Sequence, residues 1–259
     1  MTLQKEPIIH VDKLTAGYEE SVILENVSFD VYPGEIFIVL GGSGCGKTTL
    51  LKQMIGLLKP ISGQILIAGR DIVNAEGEER LKVLRNIGVM YQRGALFGSM
   101  TLLENIRLAL EEFTDLPPPA MDLIAMIKLK LVGLNGFEHY MPTELSGGMQ
   151  KRAAIARAMA LDPQILFMDE LSAGLDPVTS VELDCLVLNL ARTLKITFVI
   201  VTHELPSIYL IADRVIMLDK GAKGIIATGR PQELREHSEN IYVHRFFNRA
   251  VSSRSTATA

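Results

Sequence analysis

A glycine-rich loop that ends in lysine and threonine is the first segment of this chain that could do chemistry. Its residues fit the pattern GxxxxGK[ST]; they are Gly41, Gly42, Ser43, Gly44, Cys45, Gly46, Lys47 and Thr48, with Thr49 next. Glycines allow backbone N–H groups to wrap phosphate oxygens, and the N-terminus of a following helix adds positive partial charge. Lys47 can reach the β- and γ-phosphates, and the Thr48 hydroxyl can bind Mg²⁺. The loop therefore predicts a site for the phosphates of a nucleotide and for Mg²⁺.

An acidic pair, Asp169-Glu170, is the second candidate for chemistry. It ends an apolar run at 165–168, and two carboxylates at the tip of a buried strand are costly unless a cation or a task holds them there. Asp169 is placed to bind Mg²⁺ through water, and Glu170 is placed to polarise an attacking water as general base. The pair alone is weak support for these two roles, but the same pair at the end of an apolar strand downstream of a phosphate loop is strong support.

Short strands and helices must position these residues. A helix is predicted at 47–58, directly after the loop, and the stretch from about 101 to 161 is mostly helical. Three prolines at 117–119 interrupt that stretch as a loop, and Pro119 or Ala120 opens the next helix. Near-continuous apolar runs are typical of parallel strands that are covered on both faces. The predicted strands are 8–14, 27–31, 36–40, 64–68, 87–91, 165–168, 197–201, 214–218 and 224–228.

The composition bounds the possible classes of protein. The chain has 259 residues, 48% hydrophobic and 22% charged, with a net charge of −4. This balance suits one large α/β domain, with or without an inserted subdomain, and offers no basic field for nucleic acid. No apolar run approaches the roughly 20 residues of a membrane span, and residues 1–7 lack a signal peptide's apolar core. We therefore expect a cytosolic protein that a partner holds if it works at a membrane.

A short segment about twenty residues before the acidic pair suggests a family. Leu145-Ser146-Gly147-Gly148-Met149-Gln150 resembles the LSGGQ signature of ABC-type ATPases. Ser146 is an N-cap candidate for a helix at 147–160, and Gly147 and Gly148 would expose backbone N–H groups to an anion. The resemblance implies that this anion is the γ-phosphate held by a second subunit. It thus implies a head-to-tail homodimer with two composite sites.

Other positions fit the same family pattern. The resemblance implies that Gln92 senses Mg²⁺ and contacts the membrane subunit, and that Asp176 belongs to a loop that crosses the dimer interface. It implies that His203 holds the γ-phosphate and the attacking water, and that Tyr18 stacks on adenine. The sequence departs from the family at Met149, where Gln is commoner, and at Leu171, where Pro is usual. Neither departure removes a reacting group, although with Leu171 the sequence does not predict the conformation of the local backbone turn.

The resemblance implies an α/β fold: a P-loop NTPase core of the ABC ATPase type, with an N-terminal antiparallel β region and an inserted helical subdomain. Residues 1–92 and 163–240 would form the ATP-binding core with its β subdomain. Residues 93–162 would form the helical subdomain that carries the signature, and 241–259 a C-terminal tail. The start of that tail is aromatic-rich, which fits either a last helix packed on its own domain or a handle on a neighbouring subunit.

A narrower resemblance concerns the cargo. Segments 94–101, 110–114, 203–208 and 219–227 look like those of ATPases that serve MCE-type, Mla-like lipid transporters. This implies phospholipid movement through a partner permease and an MCE-domain protein, with a possible STAS-type accessory subunit. It also places the chain on the cytoplasmic face of a bacterial inner membrane.

Three alternatives remain open from the sequence. The chain could power a conventional solute importer that works with a periplasmic binding protein. It could be a soluble ABC protein of repair or translation, although those usually carry two nucleotide domains or a long inserted coil, both absent here. It could be a P-loop kinase or GTPase switch, against which the signature at 145–150 argues.

Overall fold

The structure is a computed structural model that describes residues 6–18, 21–91 and 96–248. Gln92 and the end of the predicted C-terminal tail lie outside these ranges. The strands are β1 Ile9–Tyr18, β2 Ser21–Val31, β3 Ile36–Gly41, β4 Ser62–Ile67, β5 Arg70–Asp71, β6 Ile87–Met90, β7 Ile165–Asp169, β8 Thr197–Val201, β9 Arg214–Asp219 and β10 Gly224–Gly229. The helices are α1 Lys47–Met54, α2 Gly77–Arg85, α3 Leu102–Phe113, α4 Pro118–Leu131, α5 Gly147–Ala158, α6 Pro177–Leu194, α7 Leu205–Ile211, α8 Pro231–His237 and α9 Ile241–Asn248.

Two sheets form the frame of the molecule. The first is antiparallel, with strand order β2-β1-β4-β5. The second has the order β10-β9-β3-β8-β7-β6, and only its β9–β10 pair is antiparallel among the strand pairs described. Asp169 pairs with Val201 and Val201 with Val39, so the ends of β7, β8 and β3 lie at one edge. Loops that follow parallel strands at such an edge form the usual ligand site of an α/β sheet.

The six-stranded sheet separates two hydrophobic cores. Alternate side chains of a strand point to opposite faces. On β3, Ile36, Ile38 and Leu40 face a core shared with α3 to α7 and α9, while Phe37 and Val39 face a core shared with α1 and the antiparallel sheet. The central strands are therefore buried on both faces, which explains why their sequences are nearly continuous apolar runs.

Local sequence explains most of the element boundaries, but strands β1 and β2 are longer than the predicted 8–14 and 27–31, and two helix boundaries also differ from the prediction. Helix α1 ends at Met54 rather than at 58, because Gly56 has a φ of +72°, in the left-handed region that ends helices. Helix α4 opens at Pro118 and not at Pro119 or Ala120, with Pro117 extended at the N-cap. Proline suits this first helical position because it has no N–H to leave unpaired.

No helix within the described ranges is both long enough and apolar enough to span a membrane. Helix α9, at the start of the predicted tail, packs on its own chain. This agrees with the first of the two interpretations of that segment, a helix packed on its own domain. Its Val243 and Phe247 are 0% and 2% exposed and belong to the core under the six-stranded sheet.

Candidate functional site

The phosphate loop joins the end of β3 to the start of α1. The Lys47 ammonium donates to the carbonyl oxygens of Gly41 and Gly42, at 2.8 and 3.0 Å. A Cβ at Gly41 would lie 2.4 Å from the carbonyl oxygen of Leu218, so only glycine fits where the loop leaves the sheet. The structure thus holds a lysine cation within a loop of backbone groups, as phosphate binding requires.

The loop residues divide into an exposed and a buried set. Ser43, Gly44 and Thr48 are exposed, so their backbone or hydroxyl groups can meet a ligand. The buried set holds the loop in place; it comprises Gly41, Cys45, Gly46 and Thr49, while Gly42 and Lys47 are half-buried.

The burial of Cys45 leads to a prediction about thiol reactivity. Cys45 is 1% exposed, whereas Cys185 on α6 is exposed and free. We expect iodoacetamide to modify Cys185 first and to leave Cys45 largely unmodified in the native chain, because the reagent must reach the sulfur. Peptide mass spectrometry after a timed reaction measures this, with urea-unfolded protein as the control in which both thiols react. Equal rates for the two native thiols would show that the loop opens freely.

The acidic pair stands at the end of β7 beside the loop that follows β8. Glu170 has φ +53°, a left-handed conformation that non-glycine residues adopt rarely and often at functional sites. Its N–H donates to the carbonyl of Val201 at 2.9 Å, which fixes this turn. One carboxylate oxygen lies 2.9 Å from Nδ1 of His203. The other, Oε2, is buried and has no hydrogen-bond partner among the described residues, so it needs a partner that these residues do not supply.

The charges around the pair show how closely the predicted residues converge. Burial raises the pKa of Asp169, and repulsion from Glu170 raises it further, while Lys47, Lys52 and Lys151 act in the opposite direction. The phosphate-loop lysine and the acidic pair therefore belong to one electrostatic site. A cation bound at Asp169 would offset both effects, because it would stabilise the ionised carboxylate.

Two residues that the sequence analysis missed also belong to this site. Lys151 on α5 is 7% exposed, and its ammonium donates to the carbonyl of Glu170 at 3.4 Å. Burial lowers the pKa of Lys151, and the charges of Glu170 and Asp169 oppose this. Burial also raises the pKa of Tyr91, with the charge of Asp169 as the second cause. A lysine directly after the signature was a visible signal; nothing local marked the tyrosine.

The signature segment forms the N-terminus of α5, as predicted. The Ser146 hydroxyl caps the helix by accepting from the N–H of Met149 at 3.3 Å. A Cβ at Gly148 would lie 2.5 Å from Cγ2 of Thr179, so glycine is needed for α5 to approach α6. A Cβ at Gly147 would lie 3.3 Å from Cδ2 of Leu175. The signature thus packs on the loop before α6, and this loop is the segment predicted to cross a dimer interface.

Asp176, predicted to bind the ligand, is the N-cap of α6. Its Oδ1 accepts from the N–H groups of Val178 and Thr179, both at 3.0 Å, and its Oδ2 accepts from the Thr179 hydroxyl at 2.5 Å. The Thr179 hydroxyl is the main cause of the lowered pKa of Asp176. Its carboxylate is therefore already engaged in capping within one subunit.

Tyr18, Gln92 and Leu171 complete the residues that the sequence analysis singled out. Tyr18 is exposed at the end of β1, and β2 of the same hairpin contacts Gly46 of the phosphate loop through Ile23 and Leu24. Gln92 lies outside the described residues. Leu171, at the position where proline is usual, is 2% exposed and packs in the core, which is compatible with the turn at Glu170.

The residues present fit ATP and Mg²⁺. Lys47, the exposed loop and the unpaired Glu170 Oε2 suit a polyphosphate and an attacking water. Within the described ranges, no group of three or more His, Cys, Asp or Glu side chains could hold a metal by itself. Mg²⁺ commonly takes only one or two oxygens from protein side chains and its other oxygens from phosphates and water. Thr48 and Asp169 are the side chains that would serve.

Comparison with known proteins identifies the family. Residues 24–173 match the model of the family described as ABC transporter. The chain is 41% identical over 240 residues to the probable ribonucleotide transport ATP-binding protein mkl of Mycobacterium leprae, covering 93% of this chain and 68% of that protein. It is 37% identical over 239 residues to the intermembrane phospholipid transport system ATP-binding protein MlaF of Haemophilus influenzae, covering 92% of this chain and 89% of that protein. The chain spans about two thirds of the length of the mycobacterial relatives.

Solved structures agree with this assignment. The ATP-binding cassette MJ0796, in a dimeric post-hydrolysis state bound to ADP and Pi, superposes with a TM-score of 0.77 at 29% identity, over 86% of this chain and 98% of that chain. The protein cbiO1 from Clostridium perfringens, part of the ABC transporter complex cbiONQ, gives 0.82 at 28% identity, over 90% and 92%. The predicted P-loop NTPase fold of the ABC type is thereby confirmed. This chain belongs to the ABC transporter family and is one of its ATP-hydrolysing subunits.

Proposed function

We propose that this chain hydrolyses ATP, as one half of a homodimer, to drive phospholipid movement through a partner permease. The observation that carries the cargo is the similarity to MlaF, which extends over 92% of this chain and 89% of the relative. The mkl relative bears a ribonucleotide name, but this chain covers only 68% of it. The two matches cover nearly the same share of this chain, but the MlaF match accounts for more of the relative, and the segments that resemble Mla-like ATPases agree with it.

In the proposed mechanism, the chain's own residues divide the work of hydrolysis. Bound ATP and Mg²⁺ supply the reactive γ-phosphate and neutralise part of its charge. Lys47 holds phosphate oxygens, while the Glu170 carboxylate accepts a proton from the attacking water. His203 orients Glu170, since its ring nitrogen lies 2.9 Å from the other carboxylate oxygen. The raised pKa of Asp169 favours a bound cation beside it.

A second copy of the chain would complete each site. Cβ positions built on Gly147 and Gly148 would meet Leu175 and Thr179 of their own chain, and among the described residues no phosphate-loop atom lies within 4 Å of those positions. The backbone N–H groups at the start of α5 therefore remain for a ligand held by another subunit. Because MJ0796 is dimeric with ADP and Pi, a head-to-tail dimer is the arrangement we propose. ATP binding would favour the closed dimer, and hydrolysis would reopen it.

The helical part of the chain offers a surface for the permease. We propose that residues 93–162 form the signature subdomain, between core segments 1–92 and 163–240. A groove of about 210 Å³ lies where this part meets β6; Tyr91, Ala109 and Phe113 contribute to its lining. The groove combines aromatic walls with Arg157, whose guanidinium lies 4.8 Å from the ring centre of Phe97. Such a mixture is typical of anchor positions in protein interfaces.

This docking surface can be tested by filling the groove. We expect Ala109→Glu to reduce permease co-purification by about tenfold or more, the loss typical of one interface hot spot. The ATPase activity of the isolated chain should persist, because Ala109 lies outside the nucleotide site. Ala222→Glu is the matched control, since Ala222 is exposed between β9 and β10, at the opposite edge of the sheet from β6. Equal permease recovery with both variants would refute this surface.

The partners and location follow from the cargo. We propose an MCE-domain lipid-binding protein and a STAS-type accessory subunit as further components, and the cytoplasmic face of a bacterial inner membrane as the location. Affinity purification from detergent-solubilised host membranes, with mass spectrometry of proteins and lipids, tests this. An MCE-domain protein, a permease and bound phospholipid are expected. A permease with a periplasmic solute-binding protein would overturn the cargo, and recovery without any permease would overturn the transport function.

A further inference from the structure

The C-terminal helix α9 reaches the phosphate loop through one side chain. A Cβ built at Gly42 would lie 3.2 Å from the hydroxyl oxygen of Tyr242. Apart from the neighbours of Gly42 in the chain, no other heavy atom of the described residues comes within 4 Å of that position. The two residues are 200 positions apart in sequence, so the fold alone brings them together.

Helix α9 is firmly anchored, which fixes the position of Tyr242. Val243 and Phe247 are buried in the core under the six-stranded sheet. The Tyr209 hydroxyl donates to the carbonyl of Phe247 at 2.8 Å. At the other end of the helix, Asn240 Oδ1 accepts from the N–H of Tyr242 at 2.9 Å and from that of Val243 at 3.3 Å. The tyrosine therefore projects from a fixed base, although 46% of it is exposed.

Gly42 is the point where this contact could influence nucleotide binding. Its carbonyl accepts from the Lys47 ammonium at 3.0 Å and from the N–H of Cys45 at 3.4 Å. A shift of Gly42 would therefore move an acceptor of the lysine and a turn of the loop together. The Tyr242 hydroxyl of α9 lies beside the same turn.

We propose that Tyr242 is a positioning residue of the nucleotide site, which holds the first turn of the phosphate loop from outside. The contact explains why glycine suits position 42: a methyl group there would press against the hydroxyl. The residue that makes the contact lies beyond the segment 24–173 that matches the family model. The inference rests on ATP binding at the loop and is independent of the transported cargo.

A double-mutant cycle in the full chain tests this contact. The backbone of Gly42 is not left-handed, so the cost of Gly42→Ala should arise from the collision with Tyr242. We expect Gly42→Ala to raise the KM for ATP about two- to tenfold, with kcat changed less than about twofold. Tyr242→Phe in the same chain should return KM to within about twofold of the wild-type value, because it removes the atom that collides. Tyr242→Ala alone should raise KM, since the loop loses its outer support.

Two control variants separate this role from a general one. Gly44 has φ +75° and no atom within 4 Å of its Cβ position, so Gly44→Ala costs backbone strain alone. Tyr242→Phe must therefore fail to rescue Gly44→Ala. Ile241 is the adjacent residue on α9 and is 68% exposed, so Ile241→Ala should keep the wild-type KM. Melting temperatures of all variants show whether each one is folded.

The possible outcomes distinguish this inference from the proposed function. Specific rescue of Gly42→Ala by Tyr242→Phe supports the positioning role. Additive effects of the two substitutions, or a Tyr242→Ala chain with lowered melting temperature and unchanged KM, would overturn it while leaving the ATPase intact. A wild-type chain that binds no ATP would overturn both.

Discussion

Glu170→Gln should keep ATP binding and slow ATP hydrolysis by about 10²- to 10⁴-fold, the usual loss when a general base is removed. The amide has the shape of the carboxylate and can still meet His203, but it cannot accept the proton of the attacking water. The variant should accumulate as an ATP-bound closed dimer, because hydrolysis no longer reopens it. Steady-state phosphate release and size-exclusion chromatography with and without ATP measure the two effects.

The control for this variant is Glu112→Gln, a change of an exposed carboxylate on α3. It removes the same charge without touching the site, so its turnover should equal that of the wild type. Turnover of Glu170→Gln near the wild-type rate would show that the Glu170 carboxylate does not receive the proton. In that case another group would have to act as the base.

Lys47→Ala should weaken ATP binding by about 10²-fold or more. Charge-assisted hydrogen bonds contribute about 1.5–3 kcal/mol each, and this ammonium can offer more than one to phosphate oxygens. Its two present acceptors, the carbonyls of Gly41 and Gly42, show that the ammonium lies inside the loop. Equilibrium titration with a fluorescent ATP analogue measures the loss of affinity.

Lys59→Ala is the matched control for the charge, because Lys59 is an exposed lysine shortly after α1. It should bind the analogue as the wild type does. A melting temperature for Lys47→Ala close to the wild-type value would show that the lost affinity reflects the missing ammonium. Unchanged affinity of Lys47→Ala would contradict the assignment of the phosphate loop.

Local features of the sequence were sufficient for the parts of the site that depend on neighbouring residues. The strand at 197–201 was predicted with its observed bounds, because a nearly continuous apolar run of that length suits a strand covered on both faces. The Ser146 cap was predicted because the residue type and the following helix are adjacent in the chain. The pairing of Glu170 with His203 was not predicted, since 33 residues separate them and the resemblance implied only that His203 holds the γ-phosphate and the attacking water.

Other features depend on distances that no local pattern encodes. The end of α1 at Met54 was missed because apolar residues continue beyond it, while the left-handed Gly56 decides the boundary. Lys151 was overlooked because its burial against Glu170 depends on how α5 packs beside β7. The approach of Tyr242 to Gly42 brings helix α9 to the phosphate loop, and nothing near either residue in the sequence predicts it.

The most direct test of the central claim is transfer of labelled phospholipid between two populations of vesicles by the purified complex of this chain with its membrane partners. With ATP and Mg²⁺, the wild-type complex should move lipid in proportion to the ATP that it hydrolyses. The same complex carrying Glu170→Gln should show neither hydrolysis nor transfer above the background without ATP. ATP hydrolysis by the wild-type complex with lipid transfer no greater than that background would contradict the claim.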